Sequence, residues 1–187
     1  MDVTMKVTVL GAGNSLLAKA KNNAVTSDGA KTFQTNNGPI IFWSDSDSSS
    51  AGTTYLGATV SVNTANGAAM SNTANTGGAF IMGGGAPDVA DSTKPGGYSF
   101  FNWAANYRGG VTVGNSATIY TNGGDITLRG KTTNSSGWNG GVWLGYNDTF
   151  NSGAGKISIT GENTGANNFA HGVELNWGSD RDRKSVV

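Results

Sequence analysis

Short runs of alternating apolar and polar residues recur along the chain, each preceded by glycine and followed by turn residues. In NGGDITLRGK, residues 122–131, the apolar side chains are Ile126 and Leu128. A period of two predicts β-strands whose successive side chains point to opposite faces. The same phrase occurs in GAGKISITG with Ile157 and Ile159, in TGGAFIMGG with Phe80 and Met82, and in NNGPIIFWS with Ile40 and Phe42.

In chain order, the four copies begin at Ile40, Phe80, Ile126 and Ile157. The third and fourth copies match well beyond the strand, at the offset that leads from Ile126 to Ile157. The same offset relates Trp138 to Phe169, Gly141 to Gly172, Val142 to Val173, Leu144 to Leu175 and Tyr146 to Trp177. The first and third copies match upstream, where Thr32, Thr35, Asn36 and Gly38 correspond to Thr118, Thr121, Asn122 and Gly124. Agreement over strand, turn and second strand indicates a structural repeat.

A short strand cannot bury its apolar face alone, so each copy is expected to form one layer of a stack. The spacing between copies is irregular, and the gaps contain further strand candidates: TTYLGATVSV, SFFNW, GVTVGN and ATIYT. We therefore predict an all-β fold, a right-handed parallel β-helix with irregular coil lengths and protruding loops. Propeller blades are the structural alternative, and whether the step from Ile126 to Ile157 spans one coil or two stays open.

Four segments resemble the repeats of filamentous-haemagglutinin-like bacterial surface exoproteins: VTVGNSATIYTNGGDITLRG, NNGPIIFWSDSDSSSAG, GGAFIMGGG and GKISITGENTGANNFAHGVELN. The similarity is one of pattern and covers residues 3–178. It implies a right-handed β-helix that is secreted or displayed at the cell surface as a rigid or adhesive shaft. The expected partners are host or environmental glycans, surface receptors and neighbouring coils of the same full-length chain.

Composition narrows the function classes further. The 187 residues include 30 glycines and no cysteine, which excludes disulfides and thiolate metal sites. Twelve basic and twelve acidic residues give zero formal net charge, so neither nucleic acid nor an anionic membrane is an expected partner. No apolar run is long enough for a spanning helix, and the N-terminal residues do not resemble a signal peptide. Because it lacks the secretion signal and export domain of the family that it resembles, the chain is expected to be an internal piece of a larger protein.

Two glycine- and aspartate-containing stretches imitate known sites. VTVLGAGNSLLAKAK contains Gly11 and Gly13 of a dinucleotide-binding turn, but Leu16 occupies the third glycine position. We interpret it as a turn of the repeat. SDSDSSSAG places Asp45, Asp47 and Ser49 at alternating positions, which could bind calcium through oxygen atoms. A solvated turn is the favoured interpretation, and no metal or cofactor is expected.

Acidic and histidine residues do not form a recognisable catalytic set. The carboxylates considered are scattered: Asp88, Asp91, Asp125, Asp148, Glu162 and Glu174. Asp125 and Glu174 correspond in the repeat to Lys156 and Trp143, so no acid pair recurs of the kind that glycosidases use. His171 is the only histidine, in a segment that reads as a surface loop. These observations predict no catalytic residues and no enzyme activity.

Tryptophans offer one further function. Exposed rings of Trp43, Trp103, Trp138, Trp143 and Trp177 could stack on sugars, whereas Trp138 and Phe169 match at the repeat offset and are expected to fill a corner.

These observations leave two hypotheses for the function of the chain. The favoured one is a structural or adhesive module, and the alternative is a carbohydrate-active β-helix enzyme such as a polysaccharide lyase or glycoside hydrolase. Open coil edges are expected to make the isolated chain marginally stable or aggregation-prone.

The chain divides into a repeat region, residues 1–181, and a tail, Asp182 to Val187, that breaks the pattern with DRKSVV. This hexapeptide is the in-frame translation of GATCGGAAGAGCGTCGTG, which resembles a common sequencing adapter. We therefore expect the tail to be non-native and without function.

Overall fold

The computed structural model describes residues 6–65, 76–101, 108–134, 139–166 and 171–176, and this part of the chain is all-β, without a helix. Its strands are β1 (Lys6–Ala12), β2 (Leu16–Lys19), β3 (Ala24–Val25), β4 (Thr32–Asn36), β5 (Ile40–Ser44), β6 (Thr54–Leu56), β7 (Ser61–Asn63), β8 (Phe80–Pro87), β9 (Pro95–Gly97), β10 (Ser99–Phe100), β11 (Gly109–Val113), β12 (Thr118–Tyr120), β13 (Ile126–Thr132), β14 (Gly140–Leu144), β15 (Thr149–Asn151), β16 (Ile157–Asn163) and β17 (His171–Leu175).

Successive strands along the chain belong to three sheets in turn. Sheet A contains β1, β4, β7, β12 and β15; sheet B contains β2, β5, β8, β13 and β16, with β9 and β10 added; sheet C contains β3, β6, β11, β14 and β17. We call one passage through A, B and C a circuit. The strands of successive circuits pair in parallel, and only β8 and β9 pair antiparallel among the described strands.

The register confirms the repeat deduced from the apolar pattern. Ile126 pairs directly with Ile157, and Val142 pairs with Val173, so this offset corresponds to one circuit. Thr32 and Thr118 both pair with Ser61, which makes the longer offset two circuits. The propeller alternative is wrong, because stacked parallel strands replace the antiparallel sheets of blades.

Side chains that point inward from all three sheets share one apolar core. From sheet A come Phe33, Val62 and Ile119; from sheet B come Ile40, Phe42, Phe80, Met82, Ile126 and Leu128; from sheet C come Leu56, Val111, Val113, Val142 and Leu144. Phe42 connects neighbouring circuits and sheets, with its ring centroid 5.7 Å from that of Phe33 and 6.1 Å from that of Phe80. Each circuit thus buries the apolar face of the one before it.

The corner between sheets A and B repeats a small polar turn. The hydroxyl of Thr121 donates to the carbonyl oxygen of Gly124 at 2.5 Å, and Ser152 donates to Gly155 at 2.6 Å one circuit later. The final glycines of these turns stack on one another, since a Cβ on Gly124 would overlap the backbone of Gly78 in the circuit below. Glycine is required here because the backbones of two circuits come into contact.

The last three corners between sheets C and A each use a left-handed residue. Thr59, Ser116 and Asn147 have φ of 59°, 60° and 58° at equivalent positions. Polar side chains at the corners also bond to the next circuit. The Oδ1 atom of Asn115 accepts the Tyr146 amide at 3.2 Å, and Asp125 Oδ1 accepts the Lys156 amide at 2.8 Å. The turn-rich composition therefore serves the stack directly.

Unequal circuit lengths come from excursions out of the ladder. Strand β8 continues past the sheet and returns as β9, which forms a hairpin on the outer face of sheet B. Arg129 Nη1 donates to the Gly96 carbonyl at 3.2 Å and connects the hairpin to β13. The predicted irregular loops are confirmed by this hairpin, which leaves the register of the following circuit unchanged.

Burial of the inward residues changes in the fifth circuit. Ile126 and Leu128 are fully buried, whereas their partners Ile157 and Ile159 are half-buried. Leu175 pairs with Leu144 as predicted but is 49% exposed. The predicted stacking is confirmed, and the fifth circuit presents its apolar residues at an open edge within the described chain.

Replacing Leu128 by alanine should lower the free energy of unfolding by about 3 kcal/mol, because it removes a fully buried side chain from the continuous core. Thr127→Ala, one residue away on the outer face of the same strand, should change it by no more than about 0.5 kcal/mol. Urea denaturation of both variants measures the difference. Equal effects would show that the inward and outward faces are wrongly assigned.

Replacing Gly124 by alanine should destabilise the protein by about 3 kcal/mol, because the methyl group would overlap the Gly78 backbone. Gly13→Ala is the control: nothing lies near its Cβ position, and only its φ of 73° opposes the substitution, at about 1 kcal/mol. Denaturation midpoints compare the two. A Gly124 variant as stable as the Gly13 variant would contradict close contact at this corner.

Candidate functional site

Trp43 lies on the outer face of sheet B, where an exposed ring would offer a platform for a sugar. Its indole is instead only 1% exposed, and its Nε1 donates to the Gly85 carbonyl at 2.8 Å. The Lys19 ammonium lies 3.7 Å from the ring centroid and covers one side. The hairpin reaches the same place, since a Cβ on the paired residue Gly83 would contact Pro95. Trp43 therefore holds the hairpin and is closed to ligands.

Trp143 occupies the equivalent outward position on sheet C and is also covered, with 8% of its surface exposed. The Arg108 guanidinium carbon lies 5.9 Å from its ring centroid, at a distance suited to a cation–π contact. Its neighbours in the register are Thr112, which is buried, and Glu174. The hypothesis of exposed glycan-stacking rings is thus wrong for Trp43 and Trp143, the tryptophans that the structure describes.

The Asp45 turn is organised by its own carboxylate. Asp45 Oδ1 accepts the Ser49 hydroxyl at 3.0 Å and the Ala51 amide at 3.3 Å, and the residue is 3% exposed. Asp47 is exposed. The turn interpretation is confirmed, although Asp45 is buried rather than solvated.

The remaining acids are held at separate places on the stack. Asp88 and Asp91 lie in the loop of the hairpin, where Asp88 Oδ1 accepts the Ala90 amide at 2.9 Å and Asp91 Oδ1 accepts the Thr93 hydroxyl at 2.6 Å. The bonds from Thr93 hold the pKa of Asp91 below its ordinary value. Glu162 forms a salt bridge of 3.1 Å to Lys131 on sheet B. Asp125 lies at the corner between sheets A and B, where its Oδ1 accepts the Lys156 amide of the next circuit.

Asp148 is the acid that sequence reasoning failed to distinguish. It occupies the last corner between sheets C and A, in the column of the fully buried residues Val60 and Ala117. Its Oδ1 accepts the Ala117 amide at 2.9 Å, while Oδ2 is buried without a partner among the described residues. The repeat alignment could have identified it, because Asp148 lies one repeat offset after Ala117 and so places a carboxylate at an inward apolar position.

Burial controls the chemistry of Asp148. Loss of hydration raises its pKa to about 7, against the lowering effect of hydrogen bonds from the Ala117 and Gly145 amides. Such a carboxyl would be protonated in part at neutral pH, as a general acid must be. A glycosidase needs a second carboxyl facing the same bond, and the acids described above lie at other corners and faces.

The first glycine-rich stretch is a turn of the stack, as interpreted. Gly11 belongs to β1, the Gly13 amide donates to the Asn36 carbonyl at 2.8 Å, and the following residues form β2 instead of a helix. His171 is exposed, as expected, but it begins β17 opposite Gly140, so its assignment to a loop is wrong. The pairing of Trp138 with Phe169, along with Trp103, Trp177 and the tail Asp182 to Val187, lies outside the described residues.

Comparisons with known proteins return no relative: no family model matches the chain, and the curated proteins and solved structures yield no significant match. Among the described residues, histidine and acidic side chains form no cluster of three or more that could hold a metal ion. The same residues include no helix of sufficient length and apolarity to cross a membrane.

The raised pKa of Asp148 predicts a pH-dependent stability. The unfolded carboxyl has a pKa of 3.8 and the folded one about 7, so the folded state binds more protons between these values. Stability should therefore fall as pH rises from about 4 to about 7, by up to about 4 kcal/mol. Asp148→Asn should remove this loss, which urea denaturation at pH 4, 6 and 8 would measure.

Asp125→Asn is the matched control, because Asp125 accepts a backbone amide of the neighbouring circuit in the same way but from an exposed position. Its stability at the same three pH values measures the effect of losing such a carboxylate apart from burial. A stability difference between the Asp148→Asn variant and the parent that stays constant over this pH range would contradict the burial of the charge.

Proposed function

We propose that the three sheets close into a right-handed parallel β-helix and that the chain is a structural or adhesive shaft module. The rotation through sheets A, B and C supports closure, because inward residues from all three enter one core. Right-handedness rests on the general preference of parallel crossover connections for that hand. The parent molecule would be a large secreted or cell-surface bacterial exoprotein of the filamentous-haemagglutinin-like kind, and the chain a fragment of it.

The observation that carries the proposal is the use of polar side chains between circuits. Asn115 and Asp125 accept amides of the next circuit, while Asp45 and the Thr121 hydroxyl close turns at the corners. These four polar side chains thus hold the stack and its corners together. A molecule organised this way is suited to length and rigidity, which are the requirements of a shaft.

An adhesive role would use the outer surface and the excursions from the ladder. The hairpin formed by β8 and β9 carries Val89 fully exposed in its loop. Exposed residues of such loops would contact glycans or surface receptors outside the cell. Neighbouring coils of the full-length chain would extend the stack. The proposal includes no enzyme activity, no cofactor, no nucleic acid and no insertion into a membrane.

Incubation with a panel of polysaccharides tests the proposal against the enzyme alternative. The purified chain should release no reducing or unsaturated ends from pectin, xylan, chitin or hyaluronan between pH 4 and 8, because its acids are dispersed. Beads coated with the chain, applied to a glycan array and to cultured cells, would in parallel measure adhesion against beads coated with denatured chain.

Cleavage that persists in repurified protein and disappears in the Asp148→Asn variant would contradict the shaft proposal in favour of the carbohydrate-active enzyme. Retention of the folded but not the denatured beads would support the adhesive form. Absence of both cleavage and retention would leave the purely structural form.

A further inference from the structure

Asparagine loses its side-chain amide more readily before glycine than before a larger residue, because glycine has no Cβ to shield the attacking backbone nitrogen. The described residues contain three such pairs: Asn37-Gly38, Asn122-Gly123 and Asn139-Gly140. Another pair, Asn66-Gly67, lies outside the described residues. Since glycine follows asparagine in each pair, differences in reactivity within the folded chain should come from the structure around them.

Two of these asparagines have side-chain atoms that the fold leaves without partners. Asn37 Oδ1 and both side-chain amide atoms of Asn122 are buried and form no hydrogen bond among the described residues. Asn139 has no side-chain atom of this kind, and its carbonyl accepts Asn163 Nδ2 at 2.7 Å. Because hydrogen bonds hold a buried amide in place, the side chains of Asn37 and Asn122 are the less restrained ones.

The backbone nitrogen that would attack is engaged in two of the three pairs. Gly123 N donates to the Ser152 carbonyl at 2.6 Å, and Gly140 N donates to the Arg108 carbonyl at 2.9 Å. Gly38 N donates no hydrogen bond within the described part of the chain. Asn37-Gly38 is therefore the described pair in which neither the side-chain carbonyl nor the attacking nitrogen is engaged.

We propose that Asn37 is a self-modification site, at which the native chain converts asparagine to aspartate and isoaspartate. The Gly38 nitrogen forms a bond to Asn37 Cγ and gives up its proton, while the Cγ–Nδ2 bond breaks and ammonia leaves. Water then opens the resulting succinimide ring. Attack on Cγ yields aspartate, whereas attack on the main-chain carbonyl carbon yields isoaspartate. Asn37 is half-buried, so solvent water has access. This inference is independent of the proposed function.

The reaction requires the corner to open locally, because Asn37 is held in the left-handed region at φ 62°. Its amide is bonded to the next circuit, at the Thr64 carbonyl, over 3.0 Å. The Asn122 carbonyl is held in the same way by the Gly77 amide at 3.0 Å, but opening there must also break the bond of Gly123. One additional hydrogen bond lowers the open population about fivefold, so Asn37 should react first.

Isoaspartate in place of Asn37 would disturb the stack more than aspartate. It adds one main-chain atom at the corner between sheets A and B, where the Thr35 hydroxyl donates to the Gly38 carbonyl at 2.5 Å. Gly78 of the third circuit lies directly against Gly38 at this corner. A displaced corner shifts the strands that follow it, so the modification would loosen the second circuit from the third irreversibly and with time.

Peptide mapping by mass spectrometry tests the order of reaction. The full chain would be incubated at pH 8 and 37 °C in water labelled with heavy oxygen, both folded and in concentrated urea, and each folded rate divided by the rate of the same pair in urea. Asn37 should give a ratio about fivefold above those of Asn122 and Asn139. Equal ratios, a higher ratio at either of the other sites, or no reaction of folded Asn37 would overturn the proposal.

A matched variant tests the consequence for the stack. Asn37→Gly removes the amide and keeps the left-handed backbone, which glycine adopts readily. After the same incubation, the urea midpoint of the parent chain should fall in proportion to its isoaspartate content, whereas that of Asn37→Gly should stay constant. Asn37→Asp introduces the charge without the extra main-chain atom and should lose less stability than the chain that contains isoaspartate. Equal losses in the incubated parent and Asn37→Gly chains would overturn the predicted loosening.

Discussion

The fold depends on close, in-register contact between the backbones of successive circuits. Parallel pairing can continue through the three sheets only if the corners also stack, because a displaced corner would shift every strand after it. At the corner between sheets A and B, a side chain on Gly124 would overlap Gly78, and a side chain on Gly78 would overlap Gly38. The frequency of glycine in this chain thus reflects a requirement of the corners.

Once the corners are in register, the chain can vary elsewhere at little cost. The hairpin formed by β8 and β9 leaves sheet B after Gly84 and returns at Ser99, and the next circuit still pairs in register. Because loop closure becomes only slowly less favourable with length, such an excursion disturbs the stack little. In the proposed shaft, contacts with other molecules would therefore use the excursions and outer faces, while the interior would set length and stiffness.

The described carboxylates include two contrasting classes: one bonds to the next circuit from an exposed position, and the other becomes responsive to pH through burial. Asp125 illustrates the first class, since its carboxylate accepts an amide of the following circuit at an exposed corner. Asp148 illustrates the second, because burial at an inward position raises its pKa to about 7. Asp148 also accepts a backbone amide, but it does so from the column of Val60 and Ala117 in the fifth circuit, so the stability of that circuit should depend on pH.

The sequence by itself determined which residues point inward and how the circuits align, because a period of two and a fixed repeat offset are local properties. Ile126 and Ile157, for example, could be paired from the printed letters. Only the tertiary structure decided what covers each face: Trp43 is buried under Lys19 and the hairpin, and Asp148 is desolvated at a corner. Alternation tells which side of a strand a residue occupies, but solvent exposure depends on segments that arrive from distant parts of the chain.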